Sequence, residues 1–193
     1  MSNIFSIDCN SLDCTNTPLG AADVMPIDCL QNVSQSEIDL IIVWNPELGT
    51  APSNWGDSMD VSDFNIDNSD ATDVAQKLFR GVGDKPNNEQ TSAPVNNFNE
   101  VILNTTQSIN FEISDVGDLT YDYWRRVQCG KIKPIFLFKT VGGYLYGGAN
   151  GIAPIKYEVN FPKASGRESL EKISMVITFE SIVDPDRVPS PIV

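Results

Sequence analysis

The stretch Gly130–Val183, GKIKPIFLFKTVGGYLYGGANGIAPIKYEVNFPKASGRESLEKISMVITFESIV, decides the fold. Three runs in it read as strands: Ile132–Thr140, Ile152–Phe161 and Ile173–Val183. In the second, Ile155, Tyr157, Val159 and Phe161 alternate with Lys156, Glu158 and Asn160. In the third, Ile173, Met175, Ile177 and Phe179 alternate with Ser174, Val176, Thr178 and Glu180. A period of two puts each apolar set on one face of a pleated strand. Neighbouring strands of like phase predict an antiparallel sheet with one buried face. Between the first two runs, Gly142–Gly151 is too long and glycine-loaded for a two-residue hairpin turn. Tyr144-Leu145-Tyr146 is expected as a short extended piece within it.

Upstream, a helix is expected from Ser114–Asp118 to about Cys129. Leu119, Tyr123 and Val127 recur on one face, with Trp124 beside them. Asp115 and Asp118 open it and Arg125, Arg126 and Lys131 end it, the order the helix dipole favours. Gly130 is the natural stop. Ile109, Phe111 and Ile113 alternate with Asn110 and Glu112, and Val101–Leu103 makes a further short apolar piece. Ile38–Trp44 is an almost wholly apolar strand, buried on both faces or at an interface. A second short helix is expected over about 69–80, capped by Ser69 or Asp70, with Val74, Leu78 and Phe79 on its apolar side. Residues 45–70 read as a loop pinned by Trp55 or presenting it to a partner. Residues 86–99 read as the least structured part. Residues 1–37 read as an extended arm and 184–193 as a proline-rich extended tail. The expected fold is mainly β: an antiparallel sandwich or small barrel in one domain, 38–193, with one flanking helix, the second short helix and long arms.

The 193 residues suffice for one domain with a real core. No apolar run approaches the roughly 20 residues that span a membrane. The first residues lack the basic and apolar regions of a signal peptide. There is no histidine, which removes Ser-His-Asp and Cys-His catalysis and histidine metal sites. Cys9, Cys14, Cys29 and Cys129 contain no C-x-x-C spacing, so free thiols are expected and no metal or other cofactor. Asp63-x-Asn65-x-Asp67 begins like a calcium loop but has Asn68 for its glycine and Val74 for its closing glutamate. Gly81-Val82-Gly83-Asp84-Lys85 lacks the spacing of a phosphate loop. These absences lower the expectation of an enzyme.

Net charge is −13, with 15 acidic and 3 basic side chains in residues 1–99 against 11 and 10 in 100–193. Such a chain repels a phosphate backbone.

The element order from Ile109 onward is a strand, a helix, a strand, the Gly143-Tyr144-Leu145-Tyr146-Gly147 turn, two strands, and the close Ile182-Val183-Asp184-Pro185-Asp186-Arg187. Over about residues 75–193 this resembles bacteriophage tail-tube-like virion proteins. The resemblance implies a β domain that oligomerises into stacked rings, a DNA conduit in the virion, made in the host cytoplasm. It implies as partners the chain itself and other tail or neck proteins, with DNA passing nearby and no membrane. Trp55, Gly143, Tyr144, Tyr146 and Arg187 are the expected subunit contacts. A head–tail connector ring or stopper is the first alternative. A carbohydrate-binding β-sandwich is the second, with Trp44, Trp55 and Tyr144 or Tyr146 as its platform.

Overall fold

The computed structural model describes residues 36–47, 51–56, 58–66, 76–96, 99–114, 117–163 and 171–192. The arm expected over 1–37 therefore lies outside it up to residue 35. So do Cys9, Cys14 and Cys29.

The strands in chain order are β1 (Ile38–Trp44), β2 (Lys77–Asp84), β3 (Glu89–Asn96), β4 (Asn99–Ile113), β5 (Ile135–Thr140), β6 (Tyr144–Tyr146), β7 (Lys156–Asn160), β8 (Ile173–Glu180) and β9 (Arg187–Pro189). One α-helix, α1 (Asp118–Gln128), follows β4. The nine strands form a single antiparallel sheet in the order β7-β8-β4-β2-β1-β5-β6-β9, with β3 paired to β4 alone. The sheet is mainly what the alternation predicts, but it does not close into a barrel.

β1 is the central strand and is buried on both faces. Ile41 and Val43 face one apolar cluster, while Leu40, Ile42 and Trp44 face the other. Ile38 joins the first cluster although strict alternation would send it to the second. A bulge between Ile38 and Leu40 supplies the extra residue that flips the phase. That residue, Asp39, accepts a 2.8 Å bond from the Lys139 ammonium of β5, which buries the lysine stem against the sheet.

The first cluster occupies a concave face. β8 and β5 are four strand steps apart, about 19 Å across a flat sheet. Yet Phe136 of β5 meets Phe179 of β8 at 5.9 Å between ring centroids. The sheet is therefore strongly rolled. α1 plugs the roll with Tyr123, Trp124 and Val127, of which Trp124 is fully buried. Leu119, expected on that face, is instead half exposed, because Trp124 takes the inward position. The second cluster covers the convex face. There the 51–66 segment brings Phe64, with Trp55 and Met59 half-buried, and the C-terminal segment brings Val188 and Ile192.

Several expectations need correction. Of the helix expected over 69–80, residues 69–75 lie outside the described set, and Lys77–Arg80 is strand β2. Gly81 and Gly83, which read as a loop, continue that strand. The Phe111 ring lies against β2 there: a Cβ on Gly83 would sit 2.7 Å from the ring and 2.5 Å from the Asn110 carbonyl oxygen. The glycines thus serve a close approach of strand and ring, not a turn. Residues 89–96, expected to lack structure, are β3. Pro94 is tolerated because β3 is an edge strand. Val101–Leu103 and Ile109–Ile113 are one 15-residue strand, β4. β5 begins only at Ile135, beyond Pro134, and the run from Ile152 pairs as a ladder only over β7, with Ile152 in an isolated bridge to Phe136. β8 ends at Glu180, leaving Ile182 and Val183 exposed. The proline-rich tail does not stand off the body: β9 adds to the sheet beside β6.

Candidate interaction surface

The β6–β9 edge gathers four of the five expected contact residues. Gly143 donates to the Thr140 carbonyl at 2.9 Å and adopts φ +83°, a conformation glycine supplies without steric cost. This turn launches β6. Tyr144 and Tyr146 lie on one face of β6 by alternation, and Leu145 between them enters the convex-face core. Tyr146 pairs with Arg187 in the ladder, and Tyr144 with Pro189. The Arg187 guanidinium stands 4.6 Å from the Tyr144 ring centroid. Its Nη1 makes a long, 3.5 Å, hydrogen bond to the Tyr146 hydroxyl. That bond, outweighing a small desolvation, raises the Arg187 pKa further above its ordinary value. Tyr146 in turn stacks on Phe138 at 4.8 Å with the planes 2° apart. The result is a cation clamped between two phenol rings on a half-exposed edge.

The tail strand is held there by more than its three-residue ladder. Ser190 donates to the Gly143 carbonyl at 2.8 Å and Gly147 donates to the Asp186 carbonyl at 3.0 Å. Gln107, wholly buried in β4, donates from its side-chain nitrogen to the carbonyls of Ser181 (2.9 Å) and Val183 (3.0 Å). Lys85 reaches Asp184 at 2.9 Å. This hydrogen bond, ahead of the opposing desolvation, holds the Asp184 carboxyl below the ordinary carboxylate value.

Trp55, the fifth residue, is not part of this edge. It lies half-buried over the convex-face cluster, the pinning role. Trp44 is buried at 2% exposure, so it offers no ring to a sugar.

Asp63 spends its carboxylate locally. It accepts from the Asp60 amide at 2.7 Å and from Asn54 at 2.8 Å and Ser53 at 3.1 Å. Those bonds, the backbone one foremost, lower its pKa. Among the described residues no three Cys, Asp or Glu side chains converge to hold a metal ion. No described helix is long and apolar enough to cross a membrane.

Two features escaped sequence reading. One is a ribbon. β4 pairs with β8 from Ile113 back to Thr106, and before Thr106 it pairs only with β3. The other is a trough on the concave face, with a volume of about 820 Å³, floored by Ile38, Phe111, Phe138 and Met175 from four different strands. Both depend on register between distant strands, which no local pattern announces. No protein-family model matches the chain, and no curated protein matches it.

Proposed function

We propose that this chain is a structural subunit that assembles with copies of itself, of the tail-tube type that bacteriophage virions use as a stacked-ring DNA conduit. The observation that carries this reading is the β3–β4 ribbon. Asn99–Thr105 and Glu89–Asn96 pair with each other and with no other described strand. At about 3.4 Å per residue the ribbon extends roughly 24 Å past the end of β8. A two-stranded ribbon is marginal on its own in water. Its sequence carries Val95, Phe98, Val101, Ile102 and Leu103, apolar residues that reward a covering surface. A neighbouring copy supplies one.

Two further features support assembly. The rolled sheet ends in unpaired edges at β7 and β9, each open to strand addition. The net charge of −13 suits a conduit through which DNA slides without sticking, since a negative wall repels phosphates. Under this reading the chain is made in the host cytoplasm and functions in the virion beside other tail or neck proteins.

The test is electron microscopy of the purified protein over a rising concentration series. Rings and stacked tubes are expected. Replacing 92–103 by a two-residue Asn-Gly turn is expected to leave a folded monomer that no longer assembles. A protein that stays monomeric throughout refutes the proposal, as do rings that persist without the ribbon. Single rings that never stack would place the protein at a neck instead of a tube.

A further inference from the structure

From the trough on the concave face, the geometry points to a binding site for an extended peptide segment carrying a lysine or arginine between apolar residues. The inference stands apart from ring assembly. The floor is a register row across the sheet: Met175, Phe111, Gly83, Ile38, Phe138 and Tyr146 from β8, β4, β2, β1, β5 and β6. Gly83 lacks a side chain, which deepens the middle of the row. Five strand steps span on the order of 20 Å on a curved sheet. That accommodates about six extended residues, and the 820 Å³ volume exceeds what a single side chain fills.

The rim sets the charge of the occupant. Glu37, Asp84, Glu112 and Asp184 line the trough against the single cation Lys85. Glu112 is held by Lys172 at 2.8 Å and Asp184 by Lys85 at 2.9 Å. Asp84 receives only the neutral Asn110 amide at 3.3 Å, and Glu37 has no cationic partner among the described residues. Two carboxylates thus stand uncompensated over an apolar floor.

Thr140 is an independent sign. It follows Phe138 by two in β5 and so shares its concave face. It lines the trough and is 4% exposed, yet its Oγ1 has no hydrogen-bond partner among the described residues. A buried hydroxyl without a partner is costly. Thr140 pairs with Ile38, and the next residue's amide, Val141, donates to the Glu37 carbonyl at 2.8 Å, so Thr140 and Glu37 are adjacent. An ammonium or guanidinium group placed there donates to both, while its aliphatic stem and apolar neighbours cover Phe138 and Ile38.

The probe is an acetylated, amidated seven-residue peptide alternating leucine with lysine, compared with its leucine–glutamate counterpart. Binding is read by calorimetry and by the methyl resonance of Met175, which sits in the floor. The lysine peptide is expected to bind and shift that resonance, with affinity falling as salt rises. Thr140→Val keeps the side-chain shape and the fold, as its melting temperature will show, and is expected to weaken binding about fivefold. The pair Glu37→Lys and Asp84→Lys is expected to weaken it at least tenfold, roughly. The inference is overturned if the lysine peptide leaves Met175 unmoved at millimolar concentration. It is equally overturned if the glutamate peptide binds as tightly, or if the variants bind like the parent.

Discussion

Gly83 shows how much one missing Cβ decides. Read locally, it belongs to a Gly-Val-Gly-Asp-Lys-Pro loop. In the fold it is a strand residue whose Cα sits opposite Phe111 and whose bareness lets the Phe111 ring lie flat against β2. Gly83→Ala puts a methyl 2.5 Å from a main-chain oxygen that cannot swing away. The expected cost is about 2–3 kcal/mol, the range for overpacking a tight core, and urea unfolding of the variant measures it. A loss below a few tenths would mean that β2 and β4 separate more easily than their ladder implies. Ile38 and Thr140 teach the same lesson. Their identities hint at a strand, but only the Asp39 bulge and the pairing of β1 with β5 put them beside one another.

At the scale of the element, α1 and β8 were legible and β2 and β3 were not. In β8 the buried set Ile173, Met175, Ile177 and Phe179 is the set that alternation selects. In α1 the inward face is Tyr123, Trp124 and Val127, one position round from the Leu119–Tyr123–Val127 line, because the largest ring takes the centre of the roll. The α1 N-terminus leaves room for improvement. Its cap, Gly117, has φ −69° and ψ 160°, makes no side-chain capping bond, and has open space where a Cβ would go. Gly117→Ser should therefore stabilise the protein by about 0.5 kcal/mol, through a cap bond and a less flexible unfolded chain. A rise of a few degrees or less in melting temperature, with unchanged circular dichroism, is the expected signature. An unchanged or lower melting temperature would contradict the cap geometry. β2 and β3 were misread for opposite reasons. Leu78 and Phe79 lie close enough in sequence to mimic a helix face. The Pro, Asn and Ser of 86–99 mimic a loop, while their strand character comes from the β4 ladder.

For the whole molecule, the C-terminal segment acts as a strap closing the convex face, and its hold depends on pH. Folding lowers the Asp184 pKa, so the Lys85–Asp184 contribution is complete above the unfolded carboxylate value of about 3.9. It is lost as pH falls through the lower folded value. Asp184 is largely exposed, so solvent screening limits the effect to under about 1 kcal/mol at neutral pH. Asp184→Asn should lower stability slightly at pH 7 and leave it unchanged near pH 2. Amide exchange at Val188, the buried centre of β9, should quicken in the variant at pH 7. Equal losses at both pH values would show that the ion pair is not the cause. At this same scale the ribbon and the open edges make the monomer look like a component, the property that the microscopy series addresses.

The sequence by itself determined the β class, the phase of β1, β7 and β8, the place of α1, and the acidic charge. These follow from side-chain periodicity and composition, which are written along the chain. Near neighbours in sequence also placed Tyr144 and Tyr146 on one face of a short strand. Only the tertiary structure brought Arg187 onto them, made β3 a strand, rolled the sheet until Phe136 met Phe179, and opened the trough between the Met175 and Tyr146 ends of one register row. Each of those requires pairing across scores of residues. A one-residue slip in any ladder would have turned the same side chains to the other face, so register, which packing selects, decided them.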